Sequence, residues 1–314
     1  MKDLIVSGAE SKLFMRFEKA KRSAQGMGIW GDRAFILYDT GWCSVFNLQT
    51  RSPKALDLFK LGSFNEGTPT KDYLNHSNDC VFSKIHYQDN PIPLLYVTIG
   101  TGTGMDEDGY FYRCAVENIT CTVDENGEHY EAQTLQTISY RPEGIENTPF
   151  IQPCWGCPGW MIDPEEPFLY MFSAKYRTKK GCVPEGEHKT YIRTKFNLPS
   201  LDAGSWVHLT PADIVDQFTV ESDVPFTQGG TIVGGKLYYT FGLPHREYND
   251  IIMVLDLKEK KQILQVEQLD AALNQEEIEC AAPYQGMILV NTNGHPQGDG
   301  TGGIYVVKVG ENLL

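Results

Sequence analysis

The stretch 226–261 constrains the fold most. Three β-type runs follow one another there, Thr231–Val233, Lys236–Thr240 and Ile251–Leu257, and a charged turn at Lys258–Lys261 leads into a fourth, Ile263–Leu269. Between the first two lies Gly234-Gly235, a pair that takes positive φ at almost no steric cost and suits a two-residue hairpin. Four strands joined by short turns form one antiparallel meander. Alone, such a sheet leaves apolar side chains and strand edges uncovered.

The same unit recurs near the N-terminus. Residues 25–35 lie without gaps over residues 228–238, so that Gln25 and Gln228, Gly26 and Gly229, Ile29 and Ile232, and Gly31 and Gly234 coincide. The downstream order recurs too: Cys43–Leu48 and Ala55–Leu61 stand where Ile251–Leu257 and Ile263–Leu269 stand. An internal repeat fixes architecture before any single element does. A second unit reads as Asp79–Lys84, Leu94–Ile99, Tyr110–Val116 and Gln133–Tyr140. A third reads as Gly159–Ile162, Phe168–Phe172, Tyr191–Leu198 and Val207–Leu209, with a short helix expected at Pro211–Gln217. The last unit has only three strands, Glu277–Ala281, Met287–Asn291 and Ile304–Val309, while Leu13–Lys21 is a strand with no hairpin partner. That orphan fills the vacancy. The second strands centre near residues 36, 96, 170, 238 and 289, giving steps of about 60, 74, 68 and 51 and a wrapped closing step of about 61.

This order predicts an all-β chain, one domain over residues 1–314, folded as a ring of five four-stranded antiparallel blades with the N-terminal strand closing the last. A sixth blade within residues 100–135 is the alternative. On the repeat order, the Gln-Gly-x-x-Ile-x-Gly pair at 25 and 228 and the N-terminal closing strand, the chain resembles β-propeller repeat proteins over about residues 13–309. The resemblance is at superfamily level. Five-bladed members include arabinanase-like glycoside hydrolases and lectins, but no complete catalytic motif of either is present, nor a WD dipeptide or an Asp-box repeat.

Composition narrows the function classes. A net charge of −14 without a basic stripe argues against binding nucleic-acid phosphates. No run approaches the roughly 20 apolar residues of a membrane span, and Met1–Val6 is too short for a signal peptide, so the expectation is a soluble, cytoplasmic protein without a membrane partner. The eight cysteines have no disulfide-scaffold rhythm; Cys43 and Cys114 sit inside apolar runs as small hydrophobes. Cys154 and Cys157 form a Cys-x-x-Cys, but a thioredoxin-like site needs a βαβ context and zinc needs two more ligands, for which only distant Cys182 and His188 exist. The loop Gly100–Gly104 lacks the Lys-Ser/Thr and the helix of a phosphate cradle.

In such a ring the first strand of each blade lines the axis, and the loops leading into those strands converge on one face. The residues there are Gln25, then His76, Asn78 and Asp79, then Trp155, then Gln228, then Glu277 and Glu279. Polar groups around an aromatic surface suit a small polar ligand, above all a carbohydrate or glycan fragment. Glu277 and Glu279, two apart on a strand, would share a face, and mutual repulsion would raise one pKa. With Asp79 they could act in sugar hydrolysis, or with Asp79 and His76 hold a divalent cation in the channel. Two further readings remain: a Glu paired with Lys or Arg for structure alone, and an interaction scaffold working through rim loops. Oligomeric state and substrate are not written in these residues.

Overall fold

A computed structural model describes residues 4–7, 9–18, 22–65, 76–100, 113–153, 158–175, 190–221, 226–244, 247–269, 272–294, 302–309 and 312–313. The described residues form five sheets, each built on a core of antiparallel strands. The first contains β3 (Ala24–Trp30), β4 (Arg33–Tyr38), β5 (Trp42–Asn47) and β6 (Asp57–Lys60). The second contains β7 (His76–Phe82), β8 (Leu95–Gly100), β9 (Arg113–Asp124) and β10 (Gly127–Tyr140). The third has β11 (Gly159–Ile162), β12 (Phe168–Ala174), β13 (Thr190–Asn197) and β15 (Ile214–Glu221). The fourth has β16 (Thr227–Val233), β17 (Lys236–Leu243), β18 (Tyr248–Asp256) and β19 (Lys261–Glu267). The fifth joins β20 (Glu277–Tyr284), β21 (Met287–Asn293) and β22 (Gly303–Val309) to β2 (Glu10–Arg16), with β23 (Asn312–Leu313) also against β22.

The expected closure is present. Strand β2 pairs antiparallel with β22, from Glu10 opposite Lys308 to Arg16 opposite Gly303. It starts three residues before the expected Leu13. The aligned repeat also holds in three dimensions: Trp30 pairs with Arg33 and Val233 with Lys236 across equivalent two-residue turns, and Gly31 and Gly234 both have φ of 55°. Residues 113–140, where a sixth blade would begin, instead form one long hairpin, β9–β10, within the second sheet. Its far half reaches the first sheet, where Arg33 pairs with Glu128 and Tyr130 stacks on Phe59.

Two strands stand where the sequence predicted something else. Val207–Leu209 was the expected outer strand of the third blade, but as β14 (Trp206–Leu209) it adds in parallel to β10 of the second. The helix expected at Pro211–Gln217 is a single 3-10 turn at Pro211–Asp213, and from Ile214 the chain is β15, the third blade's true outer strand. Thr210 and Asp213 cap that turn reciprocally, which accounts for the helical signal. The N-terminus behaves alike: β1 (Leu4–Ser7) pairs in parallel with β19, from Leu4 opposite Leu264 to Ser7 opposite Glu267. In both cases the segment just before a blade's outermost strand supplies a fifth strand to the previous blade. Each loan covers a sheet edge and ties two blades.

The apolar core lies between blades. One cluster runs through the second, third and fourth blades around Trp160, Phe172, Tyr191, Tyr239 and Phe241. Others join the first and second (Phe35, Phe59, Phe82), the fifth and first (Met27, Ile36, Leu289) and the fourth and fifth (Ile252, Ile278, Val290). No helix of the described residues is long and apolar enough to cross a membrane.

Candidate functional site

Four of the five inner strands carry a β-bulge at the same height. The register against the second strand shifts between Ala24 and Met27, Ser77 and Cys80, Thr227 and Gly230, and Ile278 and Cys280. Over its described residues β11 pairs with β12 without a shift. A bulge adds a residue to one strand and re-aims its side chains. The bulged residues are Gln25-Gly26, Asn78-Asp79, Gln228-Gly229 and Glu279, so most of the polar residues singled out by sequence are also the ones that break strand alternation.

These residues divide into two groups. The first closes the axis. Asp79 is fully buried; its Oδ2 accepts from the Gly230 amide at 2.9 Å, and its Oδ1 accepts from the Cys80 amide at 2.7 Å and from Cys280 Sγ at 3.0 Å. One carboxyl thus bridges the second, fourth and fifth blades. Burial pushes its pKa up to about 7, against the three donors, which lower it. The recurrent glycines make room for it. A Cβ on Gly229 would lie 2.9 Å from Asp79 Cγ, and one on Gly26 would lie 2.4 Å from the Asn78 carbonyl oxygen. The Gln-Gly repeat therefore records backbone approach at the axis.

The second group surrounds Glu279. This residue is 2% exposed, and among the described residues neither carboxyl oxygen has a hydrogen-bond partner of good geometry. Burial, above all, and then the charges of Glu277, Asp250 and Asp39 hold its pKa well above the ordinary carboxylate range; only nearby Asn293 opposes them. Asn293 is fully buried, yet neither its Oδ1 nor its Nδ2 finds a partner of good geometry, and Asn291 Oδ1 is likewise unmet. Asn291 Nδ2 donates to the Gln25 carbonyl at 2.5 Å, joining the fifth blade to the first. Gln228 Nε2 donates to Glu277 Oε1 and to the Gly242 carbonyl, both at 2.9 Å, joining the fourth to the fifth. The Gln25 amide donates to its neighbour's carbonyl, Ala24 O, at 3.0 Å.

The sequence placed Glu277, Glu279 and Asp79 in one constellation; in the structure Glu279 feels the charge of Glu277, and Asp79 is bonded to Cys280, the residue after Glu279. Glu277 and Glu279 do act on each other, although the bulge between Ile278 and Cys280 interrupts the simple two-residue alternation expected there. Asp79 makes its contacts with Gly230, Cys80 and Cys280 instead. Asn78 is buried next to it, against Gly26. Trp155, with Cys154 and Cys157, lies outside the described residues, as do Cys182, His188 and 101–104 of the glycine loop; of His76 only the strand pairing with Gly100 is described. Among the described residues no three His, Cys, Asp or Glu side chains are placed to hold a metal ion. The sequence missed Asp39, Asp250, Asn291 and Asn293 as neighbours of Glu279. Asn291 and Asn293 are the buried end of β21, which runs two residues past the expected Met287–Asn291, and their alternation with Thr292 was the available signal.

A ring of five blades around an axis closed by one buried acid, with polar side chains gathered beside it, defines the chain as a five-bladed β-propeller. No protein-family model matches the sequence, and no curated protein matches it at a significant level. Among solved structures, the chain is similar to the glutaminyl cyclase of Myxococcus xanthus, with a TM-score of 0.52, 11% identity and coverage of 100% of both chains. It is also similar to the tail fiber of Staphylococcus aureus phage P68, with a TM-score of 0.51 and 12% identity over 95% of this chain and 52% of that one. At these identities the likeness is one of fold.

Proposed function

We propose that the axial face binds a small polar ligand rich in hydroxyl groups, a sugar or the end of a glycan, with Glu279, Glu277, Asn291, Asn293, Gln228 and Gln25 around it. One observation carries the reading: among the described residues, both oxygens of Glu279, both polar atoms of Asn293 and Oδ1 of Asn291 are buried on two paired strands without a hydrogen-bond partner of good geometry. Buried polar groups are nearly always satisfied, so such a concentration points to a guest that supplies the missing bonds. A protonated carboxyl offers a donor and an acceptor, and an amide offers both. That combination matches hydroxyl groups, which also donate and accept. Glu277, Asp250 and Asp39 disfavour an anionic guest.

Sugar hydrolysis is a second reading, favoured by the same raised pKa, since a carboxyl protonated near neutrality can act as general acid beside a second carboxylate. In it Glu279 is the acid and Glu277 its partner; Asp79, already engaged by three donors, is left out. A glycan-array and hydrolysis screen of the wild type beside Asn293→Ala and Glu279→Gln tests both. Binding is expected to weaken by about tenfold or more in Asn293→Ala, through loss of hydrogen bonds in a dry site. Glu279→Gln keeps the neutral shape, so it is expected to retain binding and to lose turnover if the site is catalytic. Glycan binding indifferent to Asn293→Ala, or no binding by the wild type, overturns the proposal.

A further inference from the structure

On the opposite face, where the first and second strands of each blade turn, a cavity of about 590 Å³ lies between the third and fourth blades. Its volume is in the range of small-molecule sites. The lining comes from the β11–β12 turn (Asp163, Glu165, Glu166), the β16–β17 turn (Gly234, Gly235), the β18–β19 turn (Asp256, Leu257, Lys258) and the strand residues Tyr170, Arg193, Lys195 and Asp216. The Arg193 side chain is 1% exposed, and its Nη2 donates to Asp216 Oδ2 at 2.7 Å. Among the described residues its Nε and Nη1 have no partner. The guanidinium is held in place by the rings of Phe218 and Tyr170, 4.3 and 5.5 Å from their centroids. A buried, oriented guanidinium with two unmet donors at a cavity wall is suited to a carboxylate.

The remaining charges select further. Asp216 is already shared between Arg193 and Lys260, the latter at 2.5 Å, and Glu165 is paired with Lys84 at 2.5 Å. Lys195 sits with Nζ 3.3 Å from the Phe168 ring centroid and only a long 4.0 Å contact to Glu166, leaving its charge available on the same side as Arg193. Among the described residues Asp163 and Asp256 form no ion pair and Glu166 keeps only its long contact to Lys195, so the three supply negative charge, with Lys258 also at the wall. Asp163 Oδ1 accepts from the Glu165 amide, and Asp256 Oδ1 accepts from the Lys258 and Glu259 amides. A simple anion would meet these acids, and a simple cation would meet Arg193 and Lys195. A molecule with both signs satisfies both ends.

We infer that this cavity is a second ligand site, separate from the axial one, for a small zwitterion of the α-amino-acid type, its carboxylate toward Arg193 and Lys195 and its ammonium toward Glu166, Asp163 and Asp256. The test is calorimetric titration of the full chain with a panel of free amino acids, alongside acetate and methylamine as the two half-ligands. At least one amino acid is expected to bind, with each half-ligand weaker by about tenfold or more, because each keeps one end only. Arg193→Gln is expected to abolish binding. Because that change touches a buried side chain, Glu166→Gln is the companion variant: the Glu166 side chain is 58% exposed, and surface substitutions of this kind shift stability little. It is expected to weaken binding about threefold or more, as loss of one ionic contact does. Glu279→Gln, at the other face, is expected to change nothing. The inference is overturned if no amino acid binds, if acetate binds as tightly as the amino acid, or if Glu166→Gln leaves the affinity unchanged while Glu279→Gln lowers it.

Discussion

Asp79 accepts three hydrogen bonds from three blades, whereas among the described residues neither oxygen of Glu279 meets a donor with good geometry. Both carboxyls are raised by burial, and for both the consequence for stability has the same sign. Between the unfolded pKa of about 4 and the folded value, the native state holds a proton that the unfolded chain has released, so stability is complete at the low end and declines as pH rises. For Asp79 the window runs from about 4 to about 7. Each raised unit corresponds to about 1.4 kcal/mol, so the loss across the window is on the order of a few kcal/mol. Urea denaturation at pH 5 and pH 8 is expected to give a lower midpoint at the higher pH. Glu279→Gln, which cannot ionise, is expected to flatten that difference; an unchanged slope would show that Glu279 is ionised in the folded protein. Asp79→Ala leaves the Gly230 and Cys80 amides without an acceptor, a loss of about 1–3 kcal/mol per unmet group. Its urea midpoint should fall well below that of Glu279→Gln.

At the scale of the strand, the bulge is the device that sets the site. A regular inner strand would send alternate side chains to the two faces of its blade, and the extra residue turns Asp79 and Glu279 out of that pattern. The glycines opposite are its steric counterpart. Gly229→Ala would put a methyl group 2.9 Å from the Asp79 carboxyl, and thermal unfolding is expected to show a loss of about 1–3 kcal/mol from overpacking. The exposed turn glycine Gly234 has open space around it, so Gly234→Asn, which tolerates its positive φ, should cost little. Sequence reached this level unevenly. Period-two patterning and the Gly234-Gly235 turn made the β16–β19 meander legible, and the aligned Gln-Gly pairs marked the axis. The pairing of Glu277 and Glu279 was legible as spacing, but the engagement of Asp79 by Gly230, Cys80 and Cys280 was not, because which way a bulge turns its extra residue is set by neighbouring blades. Likewise Val207–Leu209 reads as a strand in any blade; only the third dimension assigns it to β10.

At the scale of the whole molecule, the ring is held shut by chain segments that cross between blades. The five repeat units and the closing strand were readable from repeat order alone, since each unit has the same succession of runs and the last is one strand short. The parallel loans of β1 and β14 left no such mark, being only four residues each. They divide the work of closure. Removal of residues 1–8 is expected to strip β1 from the β19 edge and lower the urea midpoint while the chain stays folded by circular dichroism. Removal of residues 1–17 takes β2 as well, opens the fifth blade along β22, and is expected to yield aggregated protein by size-exclusion chromatography, as exposed strand edges pair with one another. A monomeric, fully β-structured product would show that the ring closes without its N-terminal strand.

The parallel pairing of β1 with β19 and the antiparallel pairing of β2 with β22 set an order of events at the ribosome. Chains emerge N-terminal end first, so β1 and β2 must wait for β19 and β22, which are translated only after the first three blades. Until then the nascent chain holds four blades at most, with an unoccupied seam. A chaperone that shelters residues 4–16 during that interval would act on the slowest-maturing part of the protein, and a stalled ribosome would leave that part exposed.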